Sequence, residues 1–339
     1  MRTHDAATGA MSIVSLLVVK SSGLVTVQDL GRRGRMHEAL SPGGALVPSL
    51  LARVNRAVGN PGGAAAIEIS GSLVVRAERD VRIATIDARH DVARREIDAR
   101  HDVVRREIDP SREPDASLAR HGRTSVRELR AGDEVSIASA PHRVTYLAIH
   151  GGVDAPVVLG GRGAQLSAGI GARIRAGELL AIAPVNARHD DARHDDARQD
   201  DARHPDARHD DARYDEIDSH ERASETAETA VRVIAGPDLD AFASDALDVL
   251  VGTTWRISSS SNRVGTRLEG IPIARRVEYV EQSRPMVIGA IEVPRDGTPI
   301  VLGPEHPTTG GYPILAVIAF DDLDVFHAIP LGGRVRFRR

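Results

Sequence analysis

Side chains that can bind an anion lie close together in the last third of the sequence, at Asn262, Arg263 and Arg267. The planar guanidinium fork of arginine suits carboxylate, carbamate and phosphate groups, and an asparagine amide adds one donor and one acceptor. The three residues are therefore candidate ligands for an anionic or amide substrate. The structural alternative is an ion pair with Glu269 at the rim of a barrel, and the sequence leaves both interpretations open.

A second candidate is the string Thr308-Thr309-Gly310-Gly311-Tyr312. Two hydroxyls precede a diglycine, whose missing side chains let backbone N–H groups approach a ligand closely. A tight turn explains the glycines but not the whole string, so we interpret it as a binding loop. His306 nearby is a candidate general base, but a surface histidine is the interpretation we prefer.

A third candidate group is Gln28, Asp29 and Arg32, which follow an apolar run and surround Gly31. Polar side chains at the end of a strand can converge on a ligand. Equally, Asp29 can cap the Gly31 turn while Arg32 pairs with it. Glu68 also follows an apolar strand, and we interpret it as a buried partner for an arginine.

Composition excludes several chemistries. The chain has no cysteine, which removes thiolate metal sites, iron–sulfur clusters and cysteine nucleophiles. Lys20 is the only lysine and follows Val19, so the sequence has no GxxxxGK[ST] phosphate loop and gives no support for a covalently attached biotin. Spacing alone does not assemble a Ser–His–Asp triad. The catalytic residues therefore stay unassigned.

The elements that position these side chains are mostly strands. Short apolar runs separated by Gly, Pro, Asn and Asp recur without regular strand–helix alternation. Helices are predicted at only three places, after Gly44, over about Leu239–Val251 and over about Asp322–His327. Similar turn-to-strand segments at Arg130–Val135 and Pro330–Val335 indicate two related β-barrels. The predicted fold class is mainly β with few helices.

Two low-complexity tracts interrupt this body. Residues 87–117 contain an 11-residue unit written twice, and residues 186–230 repeat ARHDD-like units. A five-residue period builds no apolar helical stripe, so we predict a disordered linker there; the first tract is a charged insertion, helical or disordered. Histidines and aspartates of the repeats could bind metal, but repeated DNA encodes such strings without fixed ligand geometry, so we predict no metal site.

The boundaries follow from this pattern. Residues 1–12 are a loose extension, 13–185 a first barrel region and 231–339 a second. The apolar run Ile13–Val19 is short, is closed by Lys20 and lacks a cleavage site, and no run reaches the ~18 residues that span a bilayer. We therefore expect a cytoplasmic protein without membrane contact. The body is also too weakly basic and too poor in aromatic residues to indicate nucleic-acid binding.

At Thr26–Arg32 the sequence resembles the family that comprises the biotin-dependent carboxyltransferase domain, allophanate hydrolase subunit 2 and the C subunit of 5-oxoprolinase. Further matching motifs follow in order, at Ser41–Ala45, Asn55–Pro61, Tyr146–Asp154, Ser261–Gly270, Gly289–Pro294 and Thr308–Pro313. The sequence departs from the family where the tracts intrude, at Val47 where an aspartate is commoner, at Glu292 where glutamine is usual, and at Pro307.

The resemblance implies two cyclophilin-like β-barrel subdomains and a small-molecule substrate. It further implies a companion similar to allophanate hydrolase subunit 1 or to the B subunit of 5-oxoprolinase, together with the A subunit of that enzyme. The expected function is that of a hydrolase subunit in an ATP-dependent complex that converts 5-oxoproline to glutamate, with ATP bound by another subunit. The alternatives are a urea or allophanate-type carboxyltransferase using biotin on a partner, and a non-catalytic regulatory antagonist of the companion subunit.

Overall fold

The computed structural model describes residues 15–87, 124–183, 228–276 and 280–339. Our predictions for the extension 1–12, and for nearly all of the two tracts with their metal-binding alternative, lie outside these residues. Within the described ranges, no helix is both long enough and apolar enough to cross a membrane.

The first half of the chain forms a seven-stranded sheet. Its strands are β1 (Ser15–Gln28), β2 (Ala66–Ala77), β3 (Val81–Asp87), β4 (Thr124–Leu129), β5 (Glu134–Ala138), β6 (Thr145–Ile149) and β7 (Leu179–Ala181). They lie in the order β4-β3-β6-β2-β1-β7, with β5 paired to β2. All of these pairings are antiparallel.

Strands β1 and β2 are each longer than their apolar runs predict. The runs on either side of Gly23 lie on one continuous strand, and Gly71 sits opposite Gly23 in the register. A side chain at Gly23 would start 2.3 Å from the carbonyl oxygen of Ser70, and both glycines have positive φ. The glycines therefore allow two long strands to cross closely, where the sequence pattern indicated a break.

Helix α1 (Pro48–Ala57) lies on this sheet, as predicted. Pro48 occupies the first turn, where a missing N–H costs nothing. Leu50 and Val54 are fully buried against the sheet residues Ala84 and Tyr146, in a cluster that also includes Ala328 of the second half. The two halves of the chain thus share part of one apolar core.

The second half of the chain closes into a seven-stranded barrel, beside which two short strands form a separate ribbon. The strands are β8 (Glu228–Ala235), β9 (Thr254–Ile257), β10 (Gly265–Glu269), β11 (Arg284–Pro285), β12 (Ala290–Glu292), β13 (Ile300–Leu302), β14 (Thr309–Gly310), β15 (Ile314–Ile318) and β16 (Arg334–Arg338). The barrel order is β10-β13-β12-β15-β8-β16-β9, and the ribbon pairs β11 with β14. The barrel pairings are antiparallel except for β16 with β8.

The barrel core holds the chain's one tryptophan and three of its four phenylalanines. Trp255, Phe242, Phe326 and Phe337 are all fully buried there. Helices α2 (Ala246–Gly252) and α3 (Leu323–Ala328) pack against this core. The predicted fold class is confirmed: the chain is mainly β with few helices.

One predicted helix is wrong in its extent. The segment from Leu239 to Val251 is a 3-10 turn over Leu239–Ala241 followed by α2, which starts at Ala246. Phe242 has extended backbone and forms an isolated bridge to Arg275. Phe242 is fully buried in the barrel core in this extended conformation, so core packing overrides the helical periodicity here.

Candidate functional site

Arg263 joins the two halves of the molecule through a buried network. Its Nε donates to Glu305 over 2.6 Å, and its two terminal nitrogens donate to Glu68 and to the carbonyl oxygen of Gly44. Burial by itself lowers the pKa of Arg263, but the carboxylates of Glu68 and Glu305 outweigh it and leave that pKa raised. Arg263 was a candidate substrate ligand, and here all three of its nitrogens are already bonded within the protein.

Glu68 is the buried arginine partner that the sequence indicated. Its Oε2 accepts hydrogen bonds from the Leu46 N–H and from the Tyr146 hydroxyl, both over 2.7 Å. The Tyr146 oxygen in turn accepts from the Val47 N–H. Burial, with Glu68 beside it, raises the pKa of Tyr146 well above its usual value, so the tyrosine stays neutral and donates to Glu68.

Two further buried groups lie beside this network with unsatisfied atoms. Arg143 donates one nitrogen to Thr266 over 2.8 Å, while its Nη1 has no partner. His327 on α3 is buried and has no partner on either ring nitrogen. Burial, with Arg143 and Arg263 nearby, lowers the pKa of His327 to about 3, and burial lowers the pKa of Arg143 to about 10. The histidine is therefore neutral at physiological pH.

Asp29 follows the structural interpretation, whereas the predicted pairing of Arg32 with Asp29 is not formed. Asp29 accepts from the N–H of Gly31 over 2.8 Å, so it caps that turn. Its second oxygen accepts from the N–H of Arg162. Arg32 donates to the carbonyl oxygens of Val158 and Gly161 instead of forming a hydrogen bond with Asp29. Only Nη1 of Arg32 is left buried without a partner.

Two buried glutamines leave amide oxygens unsatisfied in the same part of the first half. Gln28 donates to Thr26 and to the carbonyl oxygen of Ala164, while Gln165 donates to Ser41 over 2.7 Å. The Oε1 atoms of both glutamines have no partner. Leaving a buried acceptor without a partner costs free energy of folding. A small ligand that donates a hydrogen bond to either oxygen would remove this cost.

This first-half group meets the second half through the segment around Glu305. The Gly43 N–H donates to the carbonyl oxygen of Pro304, and Ser167 donates to Glu305 over 2.9 Å. A side chain at Gly43 would start 2.9 Å from Oε1 of Gln165. We call the buried set Gln28, Arg32, Gln165, Arg263 and Glu305 the seam.

Asn262 serves its own turn. Its side-chain oxygen accepts from the N–H groups of Val264 and Gly265, over 2.9 and 3.1 Å. This arrangement is an Asx-type turn that feeds β10. Glu269, the other residue in the rim alternative, lies 3.7 Å from Arg256 and not beside Arg263. The rim pair with Arg263 or Arg267 is therefore not formed.

Arg267 lies apart from the seam, exposed on the outer face of the barrel. Two strands away on the same face, across Ile300, lies Glu292, which is only 8% exposed. Burial raises the pKa of Glu292 to about 7, against the opposing effect of Arg267. A carboxyl group with such a pKa exchanges its proton near neutral pH.

The string Thr308–Tyr312 forms β14 and the turn that follows it. The Thr308 carbonyl oxygen accepts from the N–H of Met286, and Gly310 approaches Met286 so closely that a side chain there would start 2.3 Å from its methyl carbon. Close packing therefore requires Gly310, while Tyr312 is 42% exposed. His306 is buried, not on the surface, and burial lowers its pKa.

The candidates thus fall into two places. Gln28 and Arg32 contribute to the first-half side of the seam and Arg263 bridges to it from the second half, whereas Arg267 and the Thr308–Tyr312 string lie outside it. Sequence reasoning missed Gln165, Glu305, Arg143 and Glu292 as polar members of these places. The only signal that pointed to one of them was an uncommon residue at a family motif, the glutamate at 292.

Among the described residues, no cluster of three or more His, Asp or Glu could hold a metal ion.

Comparison with known proteins places this arrangement among relatives. The chain is 29% identical over 328 residues to the C subunit of 5-oxoprolinase from Escherichia coli, with 95% of this chain and 90% of the relative covered. It is 24% identical over 331 residues to the same subunit from Haemophilus influenzae, covering 96% of this chain and 90% of the relative.

A solved structure shares the fold at lower identity. The urea amidolyase of K. lactis matches with a TM-score of 0.68 and 18% identity. The match covers 96% of this chain but only 18% of that much longer chain. The carboxyltransferase domain, subdomain A and B, matches residues 39–339. Since this match spans most of the sequence and both halves of the fold, the chain belongs to the family of the carboxyltransferase domain, subdomain A and B.

Proposed function

We propose that the chain is a subunit of an ATP-dependent amidohydrolase complex that opens 5-oxoproline to glutamate. The observation that carries the proposal is the match with the C subunit of 5-oxoprolinase from Escherichia coli, over 95% of this chain and 90% of the relative. Because the match runs through both halves of the fold, it favours a shared role for the sheet and the barrel together.

The chemistry of the candidate residues supports an amide substrate. A lactam presents one N–H donor and one carbonyl acceptor, and 5-oxoproline adds a carboxylate. The unsatisfied oxygens of Gln28 and Gln165 accept from an N–H, and Nη1 of Arg32 donates to an oxygen. Arg267, which lies apart from the seam, supplies a guanidinium for a carboxylate on the outer face of the barrel, so the seam and this face are two separate candidate places for the substrate.

The partners follow from what this chain lacks. Lys20 lies exposed on β1 and follows Val19 instead of a glycine, which favours ATP binding by another subunit. We propose a companion similar to the B subunit of 5-oxoprolinase, together with the A subunit, in the cytoplasm. This chain then binds the lactam or its activated intermediate, without a covalently bound cofactor.

Glutamate release from 5-oxoproline and ATP tests the proposal, using this chain co-expressed with the subunits encoded beside it. We expect activity with the full set, and loss of activity when this chain is omitted or carries Arg267→Ala. Tyr312→Phe tests whether the exposed hydroxyl that follows β14 is needed for glutamate release. Unchanged glutamate release without this chain would overturn the assignment.

The second candidate function is carboxyl transfer. The family name and the shared fold with a urea amidolyase favour it. In that case biotin is carried by a partner, and this chain binds urea or a related amide. Two assays distinguish the functions. Carboxyl transfer consumes carboxybiotin and releases no glutamate from 5-oxoproline, whereas the first function releases glutamate. Activity in neither assay would favour a regulatory role toward the companion subunit.

A further inference from the structure

A row of three side chains crosses the outer face of the barrel. In the strand register, Ile300 of β13 is opposite Arg267 of β10 on one side and opposite Glu292 of β12 on the other. Directly opposed residues point to the same face of a sheet, and neighbouring strands are about 4.8 Å apart. Arg267 and Glu292 therefore share a face, separated by one isoleucine.

Glu292 is the unusual member of this row. Its side chain is only 8% exposed, yet the described residues provide it with neither a hydrogen bond nor an ion pair within 4 Å. The opposed residues on β13 and β15 are Ile300 and Ile314, both buried and apolar. A carboxyl group in such surroundings favours its protonated form, which carries one O–H donor.

Arg267 supplies the opposite chemistry. Within the described part of the chain, no carboxylate lies within 4 Å of its guanidinium, although Arg256 on the adjacent strand pairs with Glu269 at 3.7 Å. Arg32 in the seam has already used two of its nitrogens on carbonyl oxygens. Arg267 thus retains the free two-pronged fork that a carboxylate ligand needs.

We propose that the row Arg267, Ile300 and Glu292 is the binding site for a small cyclic amide that carries a carboxylate. Arg267 binds the carboxylate, the ring methylenes lie on Ile300, and protonated Glu292 donates its hydrogen bond to the amide carbonyl oxygen. The identity of the ligand as 5-oxoproline rests on the proposed function. The site itself rests on the row.

The arrangement makes binding depend on pH through one group. The strands beside Glu292 present isoleucines, and Arg267 is the charged residue that acts on its pKa. Raising the pH removes the proton of Glu292, which then repels the carbonyl oxygen it had bound. Affinity therefore falls as pH rises through about 7.

The test is calorimetric binding of 5-oxoproline, and of 2-pyrrolidinone, which lacks the carboxylate, to the full-length chain at pH 6.5 and pH 8. For the wild type, we expect the Kd of 5-oxoproline to rise about eightfold between the two pH values. Glu292→Gln keeps a hydrogen-bond donor and should make the Kd independent of pH. Arg267→Gln should weaken 5-oxoproline about tenfold or more and leave 2-pyrrolidinone unchanged.

Glu269→Gln is the matched control, because Glu269 is an exposed carboxylate on β10, the strand that carries Arg267. This variant should bind both ligands as the wild type does. The KM for 5-oxoproline in the co-expressed complex is the second readout. The site would be overturned if the Kd of Glu292→Gln still depended on pH, or if Arg267→Gln bound 5-oxoproline as tightly as the wild type. It would also be overturned if neither the chain nor the complex bound 5-oxoproline. A complex that releases glutamate with an unaltered KM in both variants overturns the site alone. Intact pH-linked binding without glutamate release overturns only the proposed function.

Discussion

The guanidinium of Arg263, just before β10, donates to the carboxylate of Glu68 on β2, with both side chains almost completely buried. The two residues belong to different halves of the chain, 195 positions apart. A second carboxylate, Glu305, binds Nε of the same arginine. This pairing fixes the relative position of the sheet and the barrel at the seam.

Arg263→Met should destabilise the folded protein by about 3–5 kcal/mol, because it leaves two carboxylates buried without their cation. Urea unfolding followed by tryptophan fluorescence measures the effect, since Trp255 is buried in the barrel core. Arg82→Met is the control: Arg82 and Glu128 pair at 2.6 Å but are both more than half exposed, so its loss should cost about 0–1 kcal/mol. Equal losses for the two variants would contradict this role of the seam.

Gly163→Ala should destabilise the first half by about 1–3 kcal/mol. A side chain there would start 2.7 Å from Oδ1 of Asp29 and 3.0 Å from Oε1 of Gln28. Thermal unfolding compares it with Gly252→Ala at the end of α2, where a side chain meets nothing within 4 Å. The second variant should be neutral or slightly more stable. A neutral Gly163→Ala would show that Gln28 and Asp29 can move.

His327→Leu should make the free energy of unfolding depend less on pH below neutrality. Because burial lowers the folded-state pKa of His327 to about 3, only the unfolded chain takes up this proton between about pH 6.5 and that value. Wild-type stability therefore falls with decreasing pH by about 1.4 kcal/mol per unit from this residue. Denaturant unfolding at pH 5 and pH 7 measures the slope. Identical slopes in the two proteins would show that folding does not lower the pKa of His327.

Glu292→Gln should raise the thermal unfolding temperature at pH 8 and change it little at pH 5. The folded-state pKa of Glu292 is raised to about 7, so its contribution is retained at low pH and lost as the pH rises through that value. Scanning calorimetry at the two pH values measures this, with a shift of about 2–4 °C expected for each kcal/mol. A larger gain at pH 5 than at pH 8 would reverse the sign and contradict the raised pKa.

The sequence alone was sufficient for the family, for the mainly β class and for two of the three helices. Ordered motifs such as Thr26–Arg32 and Ser261–Gly270 are local strings, and helix α1 has a local apolar period. The role of Glu68 as an arginine's partner was also predictable, because a carboxylate on a buried strand needs a cation. These features depend on residues near one another in the chain.

Only the tertiary structure decided which polar residues meet. Residues that are neighbours in sequence lie in different surroundings. Asn262 accepts hydrogen bonds within its own turn, Arg263 is fully hydrogen-bonded in the seam, and Arg267 faces outward. Arg267 lies within β10, where alternation with the buried Thr266 and Leu268 directs it to the outer face, whereas Asn262 and Arg263 precede the strand and are oriented by the turn that leads into it. The closure of the barrel aligns Arg267 with Glu292 across Ile300. Strand register between distant segments is set by packing, so no local pattern reveals it.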